Sequence, residues 1–99
     1  HCFIYISPEN WKRDIPGLDP TADFVFIDSY DGPSRMVACD HFKNSARIIV
    51  IHDQENVFKN PKACYEGQYD LVTSFKYIKQ FECQSIITAA LSNFIDLNG

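Results

Sequence analysis

The sequence predicts an α/β fold whose mostly parallel sheet ends in an antiparallel hairpin. Two apolar runs, Phe24–Ile27 and Ile48–Ile51, show no alternation of polar and apolar residues, which is typical of parallel strands covered on both faces. A helical segment separates them, so the three elements form a βαβ unit. Two further strand-like runs, at 71–78 and 86–92, follow each other closely and predict the hairpin.

Length and composition narrow the classes of protein. With 99 residues the chain has room for one domain at most. A formal net charge of −4 offers no basic surface for a phosphate backbone, so we expect no nucleic-acid binding. An apolar content of 45% argues against disorder. No apolar run approaches the roughly 18–20 residues of a membrane span, so we expect no membrane partner.

The four cysteines are widely spaced and form no C-x-x-C pair, which is not the spacing of zinc ligands. They are Cys2, Cys39, Cys64 and Cys83. Most lie in or beside apolar stretches, where a free cysteine behaves as a small apolar residue. We therefore expect reduced thiols and a reducing, cytoplasmic compartment. A secreted protein with two disulfides remains the alternative.

The elements before the βαβ unit are predicted from apolar runs and from the proline and glycine residues that end them. Residues 1–6 are β-branched and aromatic and predict a strand that Ser7-Pro8 ends. A short helix or turn at 8–14 ends at Ile15-Pro16-Gly17, and Trp11 within it is expected in the core. Proline and aspartate chemistry predicts a loop at 18–22.

The remaining elements are predicted in the same way. After the strand Phe24–Ile27 and a turn-rich loop, Ser34 is expected to cap a helix at 35–44. Ile48–Ile51 is the second parallel strand, and residues 54–67 predict mixed helix and loop. The short linker 79–85 joins the two hairpin strands, although residues 80–83 could also extend the first of them. Phe75, Tyr77 and Phe81 are expected in the core.

Acidic residues follow both parallel strands directly. Asp28 follows the first strand, and His52-Asp53 follows the second. Neighbouring strands lie about 5 Å apart, and ligands of open α/β sheets bind beyond the carboxyl ends of the strands. The three side chains are therefore expected to share one site, with Tyr30, Asp31 and Arg35 at its rim.

Two carboxylates and an imidazole can bind a divalent cation, or one of them can act as a general base for a hydroxyl nucleophile. The alternative is structural. Each aspartate can serve as a helix cap or turn residue, and His52 can be a partly buried, hydrogen-bonded histidine. The residue types alone do not decide between these interpretations.

The stretches 23–32 and 46–53 resemble the fourth and fifth strands of class I S-adenosylmethionine-dependent methyltransferases. The first has an Asp-apolar-Asp pattern, and the second ends in His-Asp. The piece Gly32-Pro33-Ser34-Arg35-Met36 is similar to elements of plant polysaccharide O-methyltransferases. The tail from 75 to 93 is similar to the antiparallel sixth and seventh strands of that fold.

The resemblance implies a Rossmann-like domain, S-adenosyl-L-methionine as the cofactor, and a small-molecule or carbohydrate acceptor methylated at oxygen. It implies that Asp28 lies beside the reacting methyl group or binds a cation, and that Asp53 is a second metal ligand. His52 would be the base. Residues 1–6 would match the third strand, with the cofactor contacted by Glu9, Asn10, Asp28 and Tyr30.

The sequence departs from the family pattern at several points. The glycine-rich turn after the family's first strand and the acid after its second have no counterpart, and Ser29 stands where a glycine is usual. The chain also begins at His1, within a strand-like run. We therefore expect an incomplete domain, inactive by itself, in which the edge of Phe24–Ile27 pairs with residues 1–6, self-associates or is covered by another chain.

Other classes fit less well. A phosphate-accepting receiver domain needs an acidic pair after its first strand and Ser or Thr where this chain has His52. A metal-dependent sugar transferase needs Asp-x-Asp, whereas two residues separate Asp28 from Asp31. The main alternative to an enzyme is a non-catalytic α/β binding or assembly module that lacks the cofactor half.

Overall fold

The computed structural model describes residues 9–29 and 31–99, in which a four-stranded mixed sheet has the order β1-β2-β4-β3. The strands are β1 (Phe24–Ile27), β2 (Ile48–Ile51), β3 (Tyr77–Cys83) and β4 (Ile86–Ser92). β1 pairs with β2 in parallel, and the other two pairings are antiparallel. The α/β class is therefore confirmed, with a mixed rather than mostly parallel sheet in this part of the chain. The strand predicted at 1–6 lies outside the described residues.

Within the described residues, one short helix precedes β1 and three more helices lie between the strands. They are α1 (Trp11–Asp14), α2 (Gly32–Phe42), α3 (Glu55–Lys59) and α4 (Gln68–Thr73). Two 3₁₀ turns, Ile15–Gly17 and Pro61–Ala63, follow α1 and α3. The short helix before Ile15-Pro16-Gly17 and the mixed helix and loop at 54–67 are confirmed.

The first turn of α2 is organised by Asp31. Its carboxylate accepts a hydrogen bond from the backbone N–H of Ser34 at 2.8 Å, and Pro33 supplies the φ angle that an early helical position favours. The prediction that Ser34 caps this helix is wrong. Ser34 is buried inside the first turn, where its hydroxyl donates to the Asp31 carbonyl oxygen and pairs with the Ser29 hydroxyl.

One face of the sheet carries the core. The side chains that alternate on this face are buried against the helices, with Met36, Cys39 and Phe42 of α2 among their neighbours. The sheet contributes Ile27, Ile49, Ile51, Ala89 and Leu91. Within this layer, β1 and β2 end side by side, with Ile27 opposite Ile51.

The other face is open in the described part of the chain. Phe24 and Phe26 are 60% and 56% exposed, so the prediction that β1 is covered on both faces is wrong here. Phe81, expected in the core, is 52% exposed, whereas Phe75 is buried as predicted and Trp11 packs partly buried against the core. Among the described residues, β1 is thus packed on one face only, the face that α2 covers.

The strand predicted at 71–78 is divided between two elements. Gly67, with φ of 82°, starts α4, and this helix buries Val72. β3 begins only at Tyr77 and continues through Cys83, as the alternative extension over 80–83 predicted. The hairpin is antiparallel as expected, but its turn is only the pair Gln84-Ser85 and not the linker 79–85. Both residues have positive φ, as two-residue hairpin turns of type I′ require.

The thiols of Cys39, Cys64 and Cys83 are free, as predicted, and Cys2 lies outside the described residues. No helix in the described ranges is both long enough and apolar enough to cross a membrane.

Candidate functional site

The ends of β1 and β2 bring Asp28 and His52 side by side. Ile27 is the register partner of Ile51, and the His52 backbone N–H donates to the Ile27 carbonyl oxygen at 3.1 Å, which continues the pairing past the strands. His52 Nδ1 consequently lies 3.5 Å from Asp28 Oδ1. The two positions that the sequence placed at one edge of the sheet meet there.

Asp53 joins this pair through a change in backbone direction. It has φ of 60°, in the left-handed region, which aspartate tolerates better than most residues other than glycine. Its Oδ1 lies 3.2 Å from His52 Nδ1. Asp53 and Asp28 are both partly exposed, so the group opens to solvent.

Arg35 lies inside this group rather than at the rim. It is in the first turns of α2, and its side chain is only 13% exposed. Its Nη2 lies 3.4 Å from Asp53 Oδ2 and 3.9 Å from Asp28 Oδ1. We refer to Asp28, Arg35, His52 and Asp53 as the strand-end cluster. The sequence indicated that Arg35 was near but not that it faces both carboxylates.

A buried amide pair supports the cluster from below. Gln54 is fully buried, and its Nε2 donates to the His52 carbonyl oxygen at 3.1 Å. Gln68 of α4, also buried, donates through Nε2 to Gln54 Oε1 at 3.2 Å. The Gln54 backbone N–H donates to the Ile87 carbonyl oxygen at 2.8 Å, which ties the His52-Asp53 turn to β4. Sequence reasoning missed both glutamines, because glutamine is usually an exposed residue.

Tyr65 packs against the start of α2. A Cβ atom at position 32 would overlap the Tyr65 ring, so this approach requires Gly32. Burial raises the pKa of Tyr65 to about 12, and the positive charge of nearby Arg35 opposes that shift only in part. The neutral hydroxyl is thus favoured beside the guanidinium.

An open cleft of about 270 Å³ adjoins His52. Its other walls come from the β3–β4 hairpin, including Phe81 and Thr88. His52 therefore belongs both to the strand-end cluster and to a concave surface of mixed polarity.

The ligand atoms of Asp28, His52 and Asp53 lie within 4.8 Å of one another, and these residue types suit a divalent cation. The guanidinium of Arg35, however, faces both carboxylates. Of the other predicted site residues, Asp31 caps α2, and Asn10 is the N-cap residue of α1, with Glu9 just before it. Tyr30 lies outside the described residues.

Comparisons with models of known families, with curated proteins and with solved structures found no match to this chain.

Proposed function

We propose that the chain is the carboxy-terminal part of a class I S-adenosylmethionine-dependent methyltransferase domain that methylates an oxygen of a small molecule or sugar. The observation that carries the proposal is the meeting of Asp28, His52 and Asp53 at the carboxyl ends of two adjacent parallel strands. Open α/β sheets bind their ligands at this edge. The cluster supplies the groups that an acceptor hydroxyl needs.

The antiparallel pairing of the last strands also supports the proposal. The last strand, β4, lies antiparallel between β2 and β3. The resemblance implies that a methyltransferase sheet ends in antiparallel strands of this kind. The fold alone hosts many functions, so the cluster carries more of the argument than the topology does.

The cofactor would supply an electrophilic methyl group on a sulfonium sulfur. On the acceptor side, His52 is the residue that removes the hydroxyl proton. Its Nδ1 faces the carboxylates of Asp28 and Asp53, which leaves Nε2 as the atom that accepts the proton. Both carboxylates lie within 3.5 Å of Nδ1 and face the ring, and neither accepts a hydrogen bond from that atom in the structure.

The described residues fit the acceptor half of this reaction better than the cofactor half. Asp28 stands at the strand end, where it would face the cofactor, and the cleft beside His52 is large enough for a hydroxyl-bearing group. The sequence lacks the glycine-rich turn that would hold the methionine end of the cofactor. The proposal therefore assigns that turn to a part of the domain outside these residues.

Calorimetry with S-adenosyl-L-methionine tests the proposal. The 99-residue chain and a longer protein that includes the preceding strands are each titrated with the cofactor. We expect a saturable binding heat with the longer protein, and a heat that is much weaker or absent with the chain alone. If neither protein binds the cofactor, the methyltransferase proposal fails.

A non-catalytic binding or assembly module is the second candidate. The exposed side chains of Phe24, Phe26 and Phe81 favour it, since a large apolar patch is typical of a surface that another protein segment covers. The absence of cofactor binding in both titrations, with the fold intact by circular dichroism, would favour this module.

A further inference from the structure

Arg35 offsets part of the negative charge of the strand-end cluster without a metal. Asp28 and Asp53 contribute two negative charges, and Arg35 contributes one positive charge within 4 Å of both. The Arg35 side chain is 87% buried, since 13% of it is exposed, so its charge is poorly screened by solvent. A guanidinium is protonated throughout the accessible pH range, which makes this a permanent counter-charge.

The position of Arg35 also conflicts with a cation on the same oxygens. Asp53 Oδ2 lies 3.4 Å from Arg35 Nη2. A divalent cation binds carboxylate oxygen at about 2.0–2.6 Å, so a cation on that oxygen would lie no farther than about 6 Å from the guanidinium nitrogen. The divalent cation and the positively charged guanidinium would repel each other strongly at this distance in a partly buried site.

We propose that Arg35 takes the place of a divalent cation at the strand-end cluster, offsetting one of the two negative charges of Asp28 and Asp53 so that the cluster works without a metal. Exclusion of the cation follows from the geometry of the cluster, whereas the consequence, metal-independent activation of the acceptor, rests on the proposed function. The divalent cation that the resemblance implied is thereby replaced by a residue of this chain.

Tyr65 lies near Arg35. Gly32 admits the Tyr65 ring beside the first turn of α2, and the charge of Arg35 acts on the Tyr65 hydroxyl. Arg35 Nε is buried and has no hydrogen-bond partner among the described residues. The guanidinium therefore keeps one N–H donor beyond its contacts with the carboxylates.

Manganese titration of the full chain tests the proposal without reference to methyl transfer. Free aqueous Mn²⁺ gives a strong electron paramagnetic resonance signal that bound Mn²⁺ loses, so the bound fraction is measured directly. We compare the wild-type chain with Arg35→Met. The matched control is Arg13→Met, which removes the same charge from an exposed side chain of α1.

Removal of Arg35 is expected to tighten Mn²⁺ binding at least about tenfold, because the repulsive charge is gone while both carboxylates stay. Arg13→Met is expected to bind as the wild-type chain does. Adding Asp53→Asn to Arg35→Met should abolish the gain. Equal affinity of the wild-type and Arg35→Met chains would overturn the proposal, as would a gain that survives Asp53→Asn.

A second measurement keeps the test decisive if Arg35→Met does not fold, as judged by circular dichroism. In the wild-type chain, Mn²⁺ at low stoichiometry broadens the amide NMR signals of residues near a bound ion. We expect no selective loss of the His52 and Asp53 signals. Their selective loss would show a cation on the cluster beside Arg35 and would overturn the proposal, whatever the outcome of the calorimetry with the cofactor.

Discussion

Individual side chains determine the charge and the contacts of the strand-end cluster. His52 Nδ1 faces the carboxylates of Asp28 and Asp53, and those carboxylates would repel each other without Arg35. Gly32 matters in a different way. It is the position where a side chain would collide with Tyr65 and displace the ring from the helix that carries Arg35.

Cys39 provides a pH prediction at the residue scale. It is fully buried on α2, and burial raises the pKa of its thiol to about 12. The unfolded chain ionises this thiol near its ordinary pKa, about 8.5, whereas the folded chain does not. The stabilisation is therefore complete below that pH and is lost as the pH rises toward 12. Tyr65, whose pKa is also raised, adds to the loss in the same direction.

Urea unfolding at pH 7, 9 and 10.5 measures this loss. We expect the midpoint to fall with pH, and to fall less steeply in Cys39→Ala, which lacks the buried thiol. The control is Cys83→Ala, because Cys83 is exposed on β3 and should leave the pH slope unchanged. If Cys39→Ala shows the wild-type slope, ionisation of the buried thiol does not contribute.

At the scale of elements, the β3–β4 turn is strained by its residue types. Gln84 and Ser85 have φ of 52° and 70°, where residues with a Cβ atom are disfavoured by roughly 1–2 kcal/mol each. The pair Asn-Gly is the common solution for such a turn.

Replacing the turn by Gln84→Asn and Ser85→Gly should therefore stabilise the chain by about 1 kcal/mol. Thermal unfolding followed by circular dichroism should show a rise in midpoint of about 4–8 °C for a domain of this size. Ser45→Gly, at an exposed residue without positive φ, is the control and should not stabilise. An unchanged midpoint in the Asn-Gly variant would mean that the two residues are not in this conformation.

Some of the helices and strands could be predicted from local sequence patterns, and others could not. β1 and β2 were predictable because each is an apolar run bounded by polar residues at both ends. α4 was not, because Leu71-Val72-Thr73 carries β-branched residues and yet forms a helix. The contact of Val72 with the core outweighs the local preference there. Asp31 at the start of α2 was missed because Ser34 is an equally good capping residue by type.

For the molecule as a whole, the layered arrangement explains both what could be predicted and what could not. The meeting of Asp28 with His52 and Asp53 follows from two parallel strands ending at one edge, and the sequence predicted it. The supporting residues Gln54, Tyr65 and Gln68 come from loops and α4, and their approach depends on packing that no local pattern encodes. Arg35 is intermediate, since its place on α2 was predictable and its burial was not.

The open face of the sheet is the other property of the whole molecule. Phe24 and Phe26 lie on it, at the edge strand of the described sheet. Self-association at this edge, or cover by another segment of the domain, stays a prediction.

The most direct test of the central claim is transfer of a labelled methyl group from S-adenosyl-L-methionine to hydroxyl acceptors by the longer protein that the proposal implies. Asp28→Asn and Asp53→Asn should each lower the rate by roughly 10²-fold or more, because each removes a carboxylate that lies beside the base His52. Asp23→Asn, an exposed aspartate just before the opposite end of β1, should leave the rate unchanged. Full activity in both Asp28→Asn and Asp53→Asn would contradict the account.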